Sequence, residues 1–194
     1  YLAEYFDLHD VAKFWETVVE MNNWHQERIT KIVVNKLFGS LANKKLVILG
    51  FAFKANTNDT RESAAIKICK DLIEEGANLL IHDPKVSPKQ IENDLQIKQS
   101  IGNNKDEEAN IQSQIGKWKF SKNLDIFENA HAILVLTEWE DYKYIQWQKA
   151  SKKMVKPSWV FDSRSIINAE EVKNAGINLW RLGDGSQNSE ISDF

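Results

Sequence analysis

The chain has 194 residues, of which 42% are hydrophobic and 27% are charged, as in an ordinary globular protein with one sizeable core. Its net charge of -3 gives no reason to expect nucleic acid or an anionic membrane as a partner, and no apolar run suggests a membrane span or a signal peptide. The single cysteine excludes an internal disulfide, and we expect a reducing, cytoplasmic location.

The N-terminal region is predicted to be helical. Residues 1–6 resemble the end of a longer helix, and this abrupt start suggests that the chain is a fragment. A second, long helix is predicted from about Asp10 to Phe38 and ends at Gly39. It would span roughly 40 Å, more than one small sheet domain can cover, so part of its apolar face should contact another domain or subunit. The alternative is an ordinary core helix with frayed ends. The apolar face comprises Val11, Phe14, Trp15, Val18, Met21, Ile29, Ile32, Val33 and Leu37.

A β-strand is predicted after this helix. Leu46 to Gly50 is a short apolar run ending in glycine, which indicates a strand buried on both faces. A polar loop from Lys54 to Asp59 follows. A helix is then predicted with Asp59 as its N-cap, because Glu62 stands three residues later, as in a capping box. The apolar face of that helix comprises Ala65, Ile68, Cys69, Leu72 and Ile73.

A second strand completes a β-α-β unit. Gly76 ends the helix, and the strand is predicted from Asn78 to His82, before Asp83-Pro84. The right-handed crossover makes the strands parallel, and ligands of such sheets bind beyond the carboxyl ends of the strands. Lys54 and Arg61 lie near that edge. From spacing alone the simpler interpretation, two solvated loop charges, is favoured. The glycines of a dinucleotide fingerprint and of a phosphate loop are absent after the first strand.

The remainder of the chain continues this alternation and predicts a doubly wound α/β fold with a mostly parallel sheet. Further strands are predicted at 118–120, on the sheet edge, and at 132–136, 159–161 and 177–182. Further helices are predicted at 87–95, 141–154 and 168–176, with Ser87 and Asn168 as caps. Residues 96–116 are predicted to be a polar surface insertion, and the tail 183–194 is predicted to be disordered.

The segment Gly50 to Ser63 closely resembles the pattern GxAFKxxTxDxRxS of the C-terminal domain of the UDP-glucose 6-dehydrogenase family. Apart from the insertion and the tail, the resemblance covers nearly the whole chain. It implies a Rossmann-like UDP-sugar-binding domain at 40–182, preceded by an interdomain and dimerisation helix at 1–39. The further matching segments are Met21-Asn22-Asn23, His82-Asp83-Pro84-Lys85, Thr137-Glu138-Trp139 and Phe161-Asp162-Ser163-Arg164.

The resemblance implies a parent enzyme that oxidises UDP-glucose to UDP-glucuronate with two NAD, through a cysteine thioester that water hydrolyses. In the family NAD is bound mainly by an N-terminal domain. The nucleophile motif, GxGGSC, belongs immediately upstream of Tyr1 and is missing from this sequence. We therefore expect no catalytic residue in this chain and no turnover by it alone. Its implied partners are the N-terminal domain, the UDP-sugars and a second copy of the chain.

The same resemblance implies four binding residues. The lysine of the AFK motif, Lys54, reaches the nucleotide-sugar site in the family, and Phe53 packs beside it. Arg164 is implied to share the substrate site, where a guanidinium can fork onto phosphate or ribose oxygens. If Lys54 and Arg164 stand at neighbouring strand ends, their charges can converge on one diphosphate. Arg61 matches an arginine that approaches the pyrophosphate of the cofactor.

For the other candidate residues the sequence does not indicate a binding or catalytic role. Asp83 is a candidate ribose acceptor, but before a proline it more simply caps a turn. Glu138 and Trp139 match a family signature whose role does not follow from the sequence. Cys69 lies on the apolar face of a helix, where a free cysteine behaves as a small hydrophobe, and we expect it to be structural. No metal site is predicted, because the histidines are scattered without ligand spacing. These are His9, His25, His82 and His131.

The sequence leaves two alternative functions open. A sister nucleotide-sugar dehydrogenase, acting on UDP-N-acetylmannosamine or GDP-mannose, would share the architecture. The contexts of the AFK and TEW motifs resemble the UDP-glucose branch more. A stand-alone nucleotide-binding or dimerisation module is the alternative of a different class.

Overall fold

The computed structural model describes residues 2–100 and 116–184 and shows an α/β domain preceded by two helices. The α-helices are Leu2–Tyr5 (α1), His9–Lys36 (α2), Ala64–Glu74 (α3), Pro88–Leu95 (α4), Trp147–Lys153 (α5) and Ala169–Asn174 (α6), and a 3₁₀ helix covers Glu140–Tyr144. The strands are Lys45–Leu49 (β1), Asn78–His82 (β2), Trp118–Phe120 (β3), Ala132–Val135 (β4), Trp159–Asp162 (β5) and Asn178–Arg181 (β6).

The described strands form one six-stranded sheet in the order β3-β2-β1-β4-β5-β6. Every pairing is parallel, and β1 pairs with both β2 and β4. This is the predicted doubly wound fold, with β3 on an edge as expected. The chain reverses its winding direction between β1 and β4. Doubly wound sheets bind their ligands in a crevice beyond the carboxyl ends of the strands at such a switch point. Right-handed crossovers place α3 and α4 on one face of the sheet and α5 and α6 on the other.

The core lies on both faces of the two central strands. All four residues of β4 are buried, as are the last four of β1. A strand covered on both faces needs an unbroken apolar run rather than an alternating one, which is why both sequences are continuous in Leu, Ile and Val. Removal of this apolar surface from water contributes roughly 25 cal/mol per Å² and is the main favourable term for the domain.

Helix α2 is divided into a docked half and an exposed half. Its C-terminal half packs on α3, with Val33 buried and Lys67 of α3 lying 3.7 Å from the carboxylate of Glu27. Its N-terminal half leaves a group of large apolar side chains more than 40% exposed. These are Val11, Phe14, Trp15, Val19, Met21 and Trp24. The predicted length and apolar face of this helix are therefore present, and about half of that face has no cover from the described domain.

Two helix predictions were wrong in detail. Helix α3 begins at Ala64 with Ser63 as its N-cap, whose hydroxyl accepts from the amide of Ala65 at 3.3 Å. The predicted capping box of Asp59 and Glu62 does not form, because Glu62 has a left-handed backbone with φ 58° that interrupts any helical turn there. The single helix predicted at 141–154 consists of the 3₁₀ helix and α5, separated by extended backbone at Ile145.

Most of the predicted insertion and tail lie outside the described residues. Residues 101–115 and 185–194 belong to these two segments. The beginning of the insertion is attached to the domain, since Ser100 donates to the carbonyl of Trp118 at 3.0 Å and the Trp118 indole donates to Ile97 at 2.9 Å. Ile97 and Ser100 therefore lie beside the edge strand β3.

Candidate functional site

The predicted substrate-binding residues lie at the carboxyl ends of two strands, since Phe53 and Lys54 follow β1 and Arg164 follows β5. Glu138, to which the sequence assigned no role, follows β4. Because β4 pairs with both β1 and β5, the strands that carry Lys54 and Arg164 are not neighbours, and that part of the expectation was wrong. The arginine instead spans the end of β4 to reach the loop that carries the lysine.

Arg164 connects the three strand ends through its guanidinium group. Its Nε donates to the carbonyl of Leu136, just after β4, at 2.8 Å. Its Nη2 donates to the carbonyl of Phe53 at 3.4 Å, a long contact across 111 residues of sequence. The side chain remains 35% exposed. A cation is therefore held beside the AFK loop while part of its surface faces solvent.

The backbone of Arg164 is also held in place by hydrogen bonds. The buried carboxylate of Asp162 accepts from the amide of Arg164 at 3.0 Å and from the amide of Ile167 at 2.9 Å. This carboxylate is fully buried, and the guanidinium of Arg181 lies 3.7 Å away. The turn after β5 is thus held by the buried Asp162 side chain. This limits the backbone positions from which the Arg164 side chain extends.

Phe53 and Lys54 present exposed side chains on an ordered loop. The Phe53 ring is 48% exposed, and the Lys54 side chain is exposed too. The loop itself is hydrogen-bonded, since the amide of Phe53 donates to the backbone carbonyl of Asp59 at 2.8 Å. Helix α4 adds a further anchor, because the amide side chain of Gln90 donates to the carbonyl of Asn58 at 2.8 Å. A fixed backbone with an exposed ring and ammonium is suited to ligand contact.

Asp83 organises the base of the same loop. One carboxylate oxygen accepts from the amides of Phe51 and Ala52 at 2.8 and 3.0 Å and from the Trp139 indole at 3.2 Å. The other oxygen accepts from the amides of Lys85 and Val86, both at 2.9 Å. With its carboxylate so engaged and only 3% exposed, Asp83 has the structural role of a turn cap rather than that of a ribose acceptor.

A close approach between the loops after β1 and β4 explains the glycine at the end of β1. Gly50 has φ 93°, and a Cβ built there would stand 2.4 Å from the Cβ of Thr137. Thr137 in turn donates from its hydroxyl to the carbonyl of Ala52 at 2.7 Å. Ser63 supports the same loop by donating to the carbonyl of Phe51 at 2.8 Å. Gly50 and Ser63 of the GxAFKxxTxDxRxS pattern, together with Thr137 after β4, therefore shape the loop.

A buried histidine–tyrosine pair connects β2 to the 3₁₀ helix. The Tyr142 hydroxyl lies 3.1 Å from Nδ1 of His82 and donates to the carbonyl of His82 at 3.1 Å. Burial lowers the pKa of His82 and raises that of Tyr142, because both charged forms lose hydration. Both groups stay neutral near pH 7, so this pair supports the loop around Glu138 and Trp139 without adding charge to the crevice.

Comparison with known sequences decides the family. A sequence profile described as the UDP-glucose/GDP-mannose dehydrogenase family, UDP binding domain, matches residues 47–169. The chain belongs to this family. Over 191 residues it is 35% identical to UDP-glucose 6-dehydrogenase from Drosophila melanogaster, covering 98% of this chain and 39% of that protein. Over 185 residues it is 37% identical to UDP-glucose 6-dehydrogenase from Bos taurus, covering 94% of this chain and 36% of that protein. The chain therefore spans less than half the length of the curated relatives that it matches.

Solved structures share the fold. A UDP-glucose dehydrogenase from Pyrobaculum islandicum superposes with a TM-score of 0.57 at 19% identity, covering 85% of this chain and 31% of that chain. An NDP-N-acetyl-D-galactosaminuronic acid dehydrogenase from Methanosarcina mazei Go1 gives a TM-score of 0.59 at 22% identity, covering 82% of this chain and 28% of that chain.

In the described ranges, no helix is both long and apolar enough to cross a membrane.

The backbone amides after β1 are paired within the protein in this member of the UDP-glucose/GDP-mannose dehydrogenase family. In a dinucleotide site the amides of the first β-α turn contact the pyrophosphate. Here the amides of Phe51 and Ala52 donate to Asp83, and the N-terminus of α3 is capped by Ser63. The amides of Phe51, Ala52 and Ala65 therefore already have acceptors within the protein.

Arg61 lies in the loop before α3 rather than in its first turn, and it pairs with Asp59. Its Nη2 is 2.7 Å from the carboxylate, and its own side chain is 88% exposed. The hydrogen bond from Arg61 is the main cause that lowers the pKa of Asp59 to about 2. The pair is ionised and lies at the outer rim of the loop.

Cys69 is fully buried on α3, in agreement with its predicted packing role. Burial in apolar surroundings raises the pKa of its thiol far above the ordinary value. Because the thiolate is the nucleophilic form, a buried thiol with a raised pKa is a poor nucleophile at neutral pH.

Proposed function

We propose that this chain supplies the nucleotide-sugar-binding part of an NAD-dependent UDP-glucose 6-dehydrogenase. The parent reaction would convert UDP-glucose, two NAD and water into UDP-glucuronate and two NADH. The proposal is supported by relatives of that name that cover 94–98% of the chain at 35–37% identity. Since the chain spans less than half of those relatives, the activity of the whole enzyme is inferred from them.

The observation that carries the proposed site is the placement of Arg164. Its guanidinium contacts Leu136 and Phe53 and so stands beside the AFK loop, at the crevice where doubly wound sheets bind ligands. In the proposal the UDP diphosphate lies between Arg164 and the flexible ammonium of Lys54. The half-exposed ring of Phe53 provides an apolar wall for the nucleotide sugar.

Other functions are proposed for other parts of the enzyme. NAD would be bound mainly by an N-terminal domain, and Arg61 would approach its pyrophosphate from the rim of the loop. The 194-residue polypeptide alone is expected to show no turnover, because its single thiol is fully buried in α3.

A cytoplasmic location is part of the same proposal, and the one free, buried cysteine is consistent with a reducing compartment.

Dimerisation through α2 is also proposed. The exposed apolar half of this helix includes Phe14 at 62% and Trp15 at 60% exposure. Monomeric proteins rarely leave a contiguous patch of this kind in water. A second copy of the same helix, packed against that face, would remove it from solvent.

The proposed site is tested by titration of the 194-residue chain with UDP. With only one domain around the ligand we expect a dissociation constant on the order of millimolar, about 4 kcal/mol of binding free energy. Lys54→Ala and Arg164→Ala should each weaken binding about threefold to tenfold, because each removes a charge-assisted contact in a partly hydrated site. Lys149→Ala, which removes an exposed ammonium from α5, is the matched control and should bind UDP normally.

The outcome also separates the proposal from its rivals. UDP affinity unchanged in both the Lys54 and the Arg164 variants would show that these residues are solvated loop charges. Equal affinity for GDP and UDP would count against a site built for uridine. Thermal unfolding of each variant should be recorded, so that a loss of binding is not confused with a loss of folded protein.

A further inference from the structure

Glu138 lies between the two elements of the proposed site. One carboxylate oxygen, Oε1, accepts a hydrogen bond from the amide of Ala55 at 3.2 Å, directly after Lys54. The other, Oε2, lies 3.4 Å from Nε of Arg164. A single side chain at the end of β4 therefore contacts both the loop after β1 and the arginine after β5.

The environment of Oε2 couples Glu138 to Arg164 in particular. This oxygen is buried and accepts no hydrogen bond from the described residues. A carboxylate oxygen withdrawn from water is unfavourable unless a cation compensates it. The guanidinium of Arg164 is the cation beside it, so each side chain restricts the positions that the other can take.

The contact leaves part of the guanidinium available to a ligand. Glu138 approaches from the Nε side, and Nε already donates to Leu136. Apart from the long contact of Nη2 with Phe53, the terminal nitrogens have no hydrogen bond to the described residues. The two side chains are about one third exposed, so the pair contributes little to folding stability. Its main effect is on geometry.

We propose that Glu138 is a positioning residue that holds Arg164 and the Lys54 loop in the arrangement that binds a nucleotide diphosphate. This inference rests on the proposed function. It predicts an effect opposite to that of charge alone: removal of a carboxylate near a diphosphate reduces repulsion and should tighten binding, whereas loss of a positioning contact should weaken it.

The test uses UDP titrations of the 194-residue chain. Glu138→Gln is nearly isosteric and keeps an acceptor for the Ala55 amide, but it loses the negative charge that faces Arg164. We expect it to weaken UDP binding at least threefold with little change in thermal unfolding. Glu140→Gln is the control, because Glu140 lies two residues after Glu138, at the start of the 3₁₀ helix. It removes an exposed carboxylate that pairs with Lys143 and should not weaken binding. Glu138→Asp, which keeps the charge, should recover part of the lost affinity.

A double variant isolates the coupling. If Glu138 acts through Arg164, then Glu138→Gln in an Arg164→Ala background should have no further effect on UDP affinity. The inference is overturned, with the proposed function intact, if Arg164→Ala weakens UDP binding while Glu138→Gln leaves it unchanged or tighter. If neither Arg164→Ala nor Lys54→Ala affects UDP binding, both the inference and the proposed function are wrong. Should Glu138→Gln not fold, Glu138→Asp and Glu138→Ala are compared instead. Tighter UDP binding by the Asp variant than by the Ala variant supports positioning, and equal or tighter binding by the Ala variant overturns it.

Discussion

The indole nitrogen of Trp139 donates to the carboxylate of Asp83 at 3.2 Å, across 56 residues of sequence. Asp83 follows β2 and Trp139 follows β4, and these two strands flank β1. The same carboxylate oxygen accepts from the amides of Phe51 and Ala52 after β1. This one contact therefore joins the loops of three adjacent strands beneath the candidate site.

Replacement of Asp83 is expected to destabilise the domain strongly. Asp83→Asn puts an amide N–H₂ where a buried carboxylate accepts from backbone amides, which should lower the free energy of unfolding by about 3 kcal/mol. Trp139→Phe removes one of these donors and should cost about 1 kcal/mol. Urea denaturation measures both. Asp125→Asn, at an exposed ion pair with Lys153, is the control and should change stability little. Equal stability of the Asp83 and Asp125 variants would contradict the structural role of Asp83.

Gly50→Ala should be among the most destabilising alanine substitutions in the chain. The added Cβ would stand 2.4 Å from the Cβ and 2.7 Å from the backbone nitrogen of Thr137, so no side-chain rotation can relieve it. Its φ of 93° adds backbone strain. Gly39 also has a positive φ, but nothing lies within 4 Å of a Cβ placed there. Gly39→Ala should therefore show only the conformational cost, about 1 kcal/mol. Thermal unfolding of the two variants separates steric overlap from backbone strain, and similar losses would refute the overlap.

The burial of the Cys69 thiol predicts how the free energy of unfolding changes with pH in the alkaline range. Burial raises the pKa of the folded thiol above 9.0, the ordinary value that the unfolded chain regains. Above pH 9 the unfolded state loses this proton while the folded state keeps it. The native state then binds more protons, so stability is full below pH 9 and falls as the pH rises further, by up to about 1.4 kcal/mol per unit.

The measurement compares wild type with Cys69→Ala by urea denaturation between pH 8 and pH 10. The variant should be less stable at pH 8, because a buried side chain is truncated, but it should lose less stability on going to pH 10. Parallel pH profiles would show that the thiol does not titrate as its burial predicts. In the folded wild type, a thiol reagent should react only at the rate of unfolding.

The α2 surface predicts the state of association. Sedimentation of the chain at micromolar concentration should show a dimer, and the double variant Phe14→Glu/Trp15→Glu should be monomeric because two charges would be buried at the interface. Val155→Glu changes an exposed apolar residue outside α2 and should leave the dimer intact. A monomeric wild type at this concentration would argue against dimerisation. A dimer only at high concentration would point to an interface completed by another domain.

The order and type of most elements could be predicted from the sequence. Continuous apolar runs identified β1 and β4, because strands buried on both faces have no polar positions. Ser87 and Asn168 were predicted as caps and act as caps, since a cap depends on residues within one turn of it. Cys69 was placed in the core by helical periodicity alone. These features depend on local chemistry, which the sequence displays directly.

Contacts between distant residues were decided only by the tertiary structure. Asp59 has the residue type and spacing of a cap, yet Ser63 caps α3, because its hydroxyl also anchors the carbonyl of Phe51 across the loop. The strand order places β4 between β1, which precedes Lys54, and β5, which precedes Arg164. The two residues are therefore separated by the end of β4 rather than lying on neighbouring strands. Glu138 acquired a place between them for the same reason. Such relations depend on which strands pair, and no local pattern of residues records that.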